Sequence, residues 1–402
     1  MRRCWNGTCW DRSEGSVMSG PLSVEIRNLV DLSAEEGVQW NKWARADPDL
    51  SSPYFRWEFA RTAGPICPGS AVAVFKRDGR VVGYYPHQRR GGTVQPLAAP
   101  MNDYHGVIGP REDKPSMQEA AALIGAPRFA AAAWIGEAPQ AMLRNHSVVS
   151  VVPDEGGFDA WYARRRKAFP KYFKDKERSR RGLDGAFRAV EIEIELHDHA
   201  LLKRLIIEKS EQYRRTGHHD IFACGWTGDV LHALMDCRGE DGFGASMAVL
   251  RVDGRVVAME YSMHAGRHFH LWFPVYEQEV ARWSPGIVLT QETIRLGSER
   301  GYRIFDYGVG VGGNYKKYYD DGGLVTVEGV VARPGVGVAM CATASAALGV
   351  LGHARAERLR ISTRRRWSVV EACETSLAGQ ASGVLRAAAD MVRKQKAAGS
   401  AD

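Results

Sequence analysis

The stretch "FDYGVGVGGNYKKYYD", residues 305–320, sets a carboxylate, a glycine run and two lysines among tyrosines. A loop of this kind either cradles a phosphate or turns the chain sharply to present its polar groups. On a strand through "RIFDYG", Phe305 and Tyr307 point to one face and Asp306 to the other. Asp306 reads as a base or acceptor-orienting carboxylate, or as the cap of the turn its own glycines make. Glu260, on the strand "VVAMEYSM", is a second candidate base, because a carboxylate on an apolar strand is costly unless it is paired or used; the alternative is that it faces solvent. His264, His268 and His270 flank a turn at Ala265-Gly266, and no carboxylate completes a ligand spacing beside them, so no metal is expected. "HHD" at 218–220 with Cys224 nearby has the residue types of a Cys/His nucleophile but no spacing that implies mutual geometry. Asp103, Tyr104 and His105 concentrate polar groups in the Pro-flanked loop "PLAAPMNDYHGVIGP", the kind of place where acceptor contacts or structural turns occur.

These residues need elements to hold them. "SVEIRNLV" predicts a strand and "SAEEGVQWNKWARA" a helix, with Ser33 and Glu36 spaced as a capping box. "AVAVFKRDGRVVGYYPHQ" predicts a hairpin turned at Asp78-Gly79; a helix and a strand then complete a first half near residue 150. The second half repeats the order: the strand "FRAVEIEIEL", a helix capped by Asp198, another helix, three strands turned at Asp253-Gly254 and Ala265-Gly266, the helix "GIVLTQETIRLGSERG", the strand "YRIFDYG", a short helix through "NYKKYY" and the strand "LVTVEGVV". The hairpins "VFKRDGRVVGYY" and "VLRVDGRVVAMEY" are alike in turn and flanks, as two copies of one unit would be. From about Ala332 the sequence is Ala- and Arg-rich and helical, with Val369, Val370, Cys373 and Leu377 on one face; it reads as a packing appendage.

Composition sets the class. A chain of 402 residues with 45% hydrophobic and 25% charged residues suits a soluble protein of two cores, and no apolar run approaches a membrane span. The first seventeen residues lack the apolar core of a secretory signal, and Met18 opens a more typical start; residues 1–17 are therefore set aside as a misassigned start or a disordered segment. Seven scattered cysteines form neither a disulfide framework nor a zinc pattern, which points to the cytoplasm. The net charge of +7 is concentrated in "WYARRRKAFPKYFKDKERSRR", residues 161–181. Basic residues interleaved with aromatics suit an amphipathic linker helix, here 159–181, whose arginines stay wet. Recruitment of an anionic acceptor is the main rival reading, and nucleic acid is not expected.

The order of elements resembles the GNAT acyltransferase fold. "DYHGVI", "KSEQYRRTG", "HLWFPVYEQEVARWSPG" and "FDYGVGVGGNYKKYY" together resemble the CelD-type family of predicted acetyltransferases, tandem GNAT-like proteins distantly related to the Fem aminoacyl transferases. The resemblance covers roughly residues 20–335. It implies an α/β (α+β) chain: a degenerate GNAT-like domain at 18–153, a GNAT acyltransferase domain at 154–334 and a helical extension at 335–402, each domain a mixed, mostly antiparallel sheet flanked by helices. It also implies acetyl-CoA as co-substrate and a small-molecule or saccharide acceptor of an exopolysaccharide pathway. Aminoacyl-tRNA as donor, or a scaffold without catalysis, are the alternatives it leaves open. The donor's pantetheine would lie between "HFHLWF" and "YRIFDYG", near Trp272, Phe273 and Gly308. Its pyrophosphate would meet the helix start at Gly286, with Ser284 as cap and Arg282 nearby, although "RWSPGI" departs from the usual Arg/Gln-x-x-Gly-x-Gly/Ala spacing. Tyr315 would protonate the leaving thiolate, Lys316 would stabilise the oxyanion or an acceptor phosphate, and Asp103, Tyr104, His105, Tyr213 and His270 would contact the acceptor.

Overall fold

The computed structural model describes residues 20–309, 315–332, 353–376, 379, 380 and 383. The expectations for residues 1–17, Gly310–Asn314 and Leu377 fall outside them. The first half carries strands β1 (Leu22–Arg27), β2 (Ser70–Arg77), β3 (Arg80–Arg90), β4 (Thr93–Pro96), β5 (Arg128–Trp134) and β6 (Leu143–Val151). Its helices are α1 (Ala34–Ala46), α2 (Trp57–Ala63) and α3 (Met117–Ile124). Two helices follow, α4 (Gly157–Ala168) and α5 (Pro170–Ala186). The second half has β7 (Val190–Leu196), α6 (His199–Thr216), α7 (Trp226–Asp236), β8 (Gly244–Val252), β9 (Arg255–Ala265) and β10 (His268–Tyr276). It continues with α8 (Pro285–Glu299), β11 (Ile304–Val309), a 3-10 turn at Lys316–Tyr318 and β12 (Val325–Ala332), and the helix α9 (His353–Cys373) lies beyond them.

Local chemistry accounts for the elements. Ser33 and Glu36 form the predicted capping box of α1, and the Asp198 carboxylate accepts from the first N–H groups of α6. Asp78, Gly79, Asp253 and Gly254 all have positive φ, at 50°, 78°, 46° and 79°, as two-residue hairpin turns require. The expected single basic helix is two: Phe169 leaves helical geometry and Pro170 starts α5, because a proline disfavours helix at the residue before it. Trp161 and Phe173 from this segment are buried, and Arg165 is tied to Asp321 and to the carbonyls of Tyr318 and Lys317.

The strands form one twelve-stranded mixed sheet in the order β1-β2-β3-β4-β5-β12-β6-β11-β10-β9-β8-β7. Replacing each strand by its counterpart in the other half and reversing the list returns the same order. The two halves are thus GNAT-like repeats that exchange their final strands: β12 pairs with β5, and β6 lies between β12 and β11. One core joins them, running from Trp40, Tyr54 and Phe59 to Leu205, Leu231 and Tyr261. Two strand pairs are parallel, β4 with β5 and β10 with β11. Among the described residues no helix is long and apolar enough to cross a membrane.

Candidate active site

The parallel pair β10–β11 is short. His268, Phe269 and His270 sit opposite Ile304, Phe305 and Asp306, and then the pairing stops. Irregularities follow on both strands, between Leu271 and Phe273 and between Asp306 and Val309, so the strands part at His270 and Asp306. The fork holds a network of polar groups. Asp306 Oδ2 lies 3.1 Å from His268 Nε2 and 3.8 Å from His270 Nδ1. Its Oδ1 accepts from the Tyr104 hydroxyl at 2.8 Å and from the Gly308 N–H at 2.7 Å. Gly308 has φ 75°, and a Cβ there would stand 2.7 Å from Asp103 Oδ2, so only glycine lets the chain pass beneath that carboxylate. Asp103 in turn holds His270 Nε2 at 3.0 Å.

The electrostatics follow from burial and partners. Burial opposes ionisation of Asp306, but the hydrogen bond with His268 and the charge of nearby His270 win and hold its carboxyl well below the usual range. His270 is likewise disfavoured as a cation by burial, yet Asp103 and Asp306 push it up to about 9. Glu260 of β9, which stands opposite Ala248 and Pro274 in the sheet, is buried, and burial pushes it up to about 7 against the pull of His270, Lys209 and Lys316. Burial also depresses Lys209 of α6 to about 8 and lowers Lys316. Lys316 feels Asp103, Asp306 and Glu260, and its Nζ donates to the Tyr307 carbonyl. Tyr315 is pushed up, by burial first and then by Glu260, so its phenol stays protonated.

The structure therefore brings together Asp103, Tyr104, His270, Asp306 and Gly308 by contact, with Glu260, Tyr315 and Lys316 within electrostatic reach. Trp272 stacks on Phe273 at 4.8 Å and meets Tyr54 edge-on at 5.4 Å. Tyr213 lies near Asp103, whose charge helps raise it after burial. His105 does not join the cluster: its Nε2 accepts from the Ala132 N–H at 3.2 Å, it packs on Trp134, and burial depresses it to about 3. His264 is also apart, bonded to the Gly242 carbonyl.

At the start of α8, Ser284 occupies the cap position in a left-handed conformation, but its hydroxyl makes no cap bond and instead accepts from Lys176 Nζ at 3.0 Å. Gly286 has ordinary room, Tyr276 being 3.5 Å from a Cβ there, and the Arg282 guanidinium lies over Trp283 at 3.9 Å. A helix start without a side-chain cap and with an ammonium beside it fits an anionic phosphate.

His268, Ser51, Tyr54, Lys209 and Lys176 are members that sequence reasoning did not single out for this site. Ser51 Oγ lies 3.3 Å from His268 Nδ1, and the Tyr54 ring meets the His270 ring edge-on at 5.1 Å. The carboxylate missing from the histidine spacing is Asp306, so that His268, His270 and Asp306 have ligand-type atoms within 4.8 Å of one another. His268 and Asp306 are at direct hydrogen-bond distance, and Tyr104 and Gly308 satisfy the other carboxylate oxygen.

A family model described as an acetyltransferase (GNAT) domain matches residues 170–317. No curated protein matches the chain. Similar solved structures include FemX, 11% identical with a TM-score of 0.47 over 73% of this chain and 94% of that one. L-PGS from Bacillus licheniformis is 12% identical with a TM-score of 0.41, over 77% and 95%. A tandem GNAT protein from the clavulanic acid biosynthesis pathway is 9% identical with a TM-score of 0.42, over 78% and 100%.

Proposed function

We propose that the protein is an acyltransferase that moves an acetyl group from acetyl-CoA to an amine or hydroxyl of an acceptor bound near Asp103. The observation that carries this reading is the β10–β11 fork, with a buried, charged network at its apex and an uncapped helix start following it, inside the segment that matches the GNAT model. The donor supplies the thioester carbonyl that the acceptor attacks. Lys176, Arg282 and the backbone around Gly286 would hold the donor's phosphates, and Trp272, Phe273 and Gly308 would line the path of its pantetheine.

The residues divide the work by their electrostatics. Glu260, held near neutrality by burial, is suited to take the acceptor's proton at pH 7 to 8. Asp306 is a poor base, because its proton affinity is low and four groups already surround it; it positions His268 and His270. The His270 cation and Lys316 face developing negative charge, and Tyr315 keeps a proton for the departing sulfur. A saccharide is the acceptor that the family resemblance suggests, in the cytoplasm.

Calorimetric titration of the full chain with acetyl-CoA and with CoA tests the donor. Micromolar binding that Gly286→Glu weakens at least about tenfold supports the reading, since a carboxylate at the helix start repels phosphate. Absence of binding at millimolar ligand overturns it.

A further inference from the structure

The first half has the same fork as the second, and something else covers it. Thr93 and Val94 of β4 pair with Arg128 and Phe129 of β5, and then those strands part as well. The C-terminal helix α9 lies over this opening. Its Glu371 carboxylate accepts from Thr93 Oγ1 at 2.7 Å and Gln95 Nε2 at 3.3 Å and pairs with Arg128 at 3.3 Å. Arg364 and Arg365 reach Glu328 of β12 at 2.7 and 2.6 Å. Between helix and sheet remains a cavity of about 330 Å³. Its walls include Pro96 and Pro100, Ala130 and Ala132 of β5, and Trp367 and Val369 of α9. Asp103 and Val309 also line it, and Asp103 is the carboxylate that holds His270. Cavity and catalytic network therefore share a wall.

We propose that this cavity is the acceptor site and that it takes a primary amine with an apolar body. The proposal rests on the acyltransferase reading for the chemistry and replaces the saccharide as acceptor class. The apolar walls supply the affinity of a nonpolar body; of the polar groups that also line the cavity, Gln95 and Arg128 are bound to Glu371, and Arg364 and Arg365 to Glu328, which leaves a sugar's hydroxyls few partners. Asn102, 8% exposed, also lines the cavity; its Nδ2 donates to the Leu97 carbonyl at 3.1 Å, which leaves Oδ1 buried without a hydrogen-bond partner. That oxygen calls for a donor, and the Asp103 carboxylate beside it adds negative charge, so an N–H group suits the pair better than an acid. The arginines at the rim are committed to Glu371 and Glu328 and do not advertise for an anion. In the reaction the amine nitrogen bonds to the acyl carbon and the C–S bond breaks. The amine's proton passes to Glu260, and the sulfur leaves as thiol with the proton of Tyr315.

Phenethylamine is the probe, titrated into the full chain without donor and followed by calorimetry and tryptophan fluorescence, with glucosamine as the polar comparison. The expected result is phenethylamine binding at least about tenfold tighter than glucosamine, weakened at least about tenfold by Ala132→Trp, which fills the cavity from an exposed position. Asn102→Ala gives a second reading, with a loss of about tenfold, should the tryptophan variant fail to fold. Equal binding of the two amines, no phenethylamine binding at millimolar concentration, or binding that both variants leave unchanged overturns the proposal. If phenethylamine binds as expected and acetyl-CoA does not, the acceptor site stands and the donor reading falls.

Discussion

The two forks are built on one frame and carry opposite chemistry. Aligning the hairpins at Asp78-Gly79 and Asp253-Gly254 places Tyr85 on Glu260, Thr93 on His268 and Gln95 on His270; the parallel registers then place Ala130 on Asp306. These four ionisable members of the second fork therefore have uncharged counterparts in the first. The helices that follow β4 and β10 differ in the same sense. The start of α3 is closed by the reciprocal pair Ser116 and Glu119, a carboxylate already standing where an anion would bind, whereas α8 begins uncapped beside Lys176. A repeated backbone thus places two forks in one sheet, and the side chains at a few matched positions make their polarity differ.

Removing the charge at the second fork is the strongest way to break the contrast. Asp306→Asn keeps the shape but withdraws one of two carboxylates from His270, and turnover measured as CoA-thiol release should fall on the order of a hundredfold. Its pH–rate profile should change as well, because His270 then loses its proton at lower pH; a variant that merely loosened the fold would leave the profile's inflections in place. Glu260 tests the same fork through stability. Its folded pKa of about 7 lies above the ordinary value of 4.5, so the folded state gives up stability as pH rises from 4.5 through 7. Glu260→Gln, which carries no charge to desolvate, should match the native protein near pH 4.5 in urea unfolding and exceed it by about 3 kcal/mol at pH 8. Parallel stability curves for the two proteins would show that Glu260 ionises without cost.

How far this contrast was legible in the sequence depends on range. The hairpins and the caps of α1 and α6 were readable because their signals lie within a few residues: Asp-Gly turns with positive φ, Ser33 with Glu36, and Asp198. Asp306 and Glu260 stood out as carboxylates on strands. The convergence of His268, His270 and Asp306 was not readable, since it depends on the parallel register that a crossover helix creates. The exchange of β6 and β12 is equally non-local, and the first half accordingly ends in two strands, β5 and β6, where local pattern predicts one. The break at Pro170 carried a local signal that the charge pattern obscured, and α9 read as an appendage because its partners, Thr93, Gln95 and Arg128, lie far back in the chain.

The roof of the first fork offers a smaller effect. Glu371→Ala strands Thr93 and Gln95, both buried, and leaves Arg128 without its partner. A loss of about 1–3 kcal/mol is expected, read most directly as faster proteolysis within α9. Hydrogen exchange over β10 and β11 should change little, which would separate opening of one fork from general unfolding. Equal loosening of both forks would mean that α9 holds the whole sheet and not the first half's opening.

The finest comparison is between two buried histidines. His270 carries its proton up to about 9 because two carboxylates face it, while His105, with only a backbone N–H and aromatic neighbours, loses its own by about 3. Neither ring should titrate between pH 5 and 8, when an ordinary histidine changes charge, and the nitrogen shifts in NMR should show His270 as a cation and His105 as a neutral ring throughout. Their contributions to stability then run in opposite directions. That of His270 is complete below 6.5 and fades as pH rises through 9; that of His105 is complete above 6.5 and fades as pH falls towards 3. His105→Gln should therefore flatten only the acid limb of the stability curve and alter turnover less than about threefold, whereas His270→Gln should act on the alkaline limb and on turnover together. A His105 ring that titrates near 6.5 would place solvent or a charge beside it and erase the difference between the two sites.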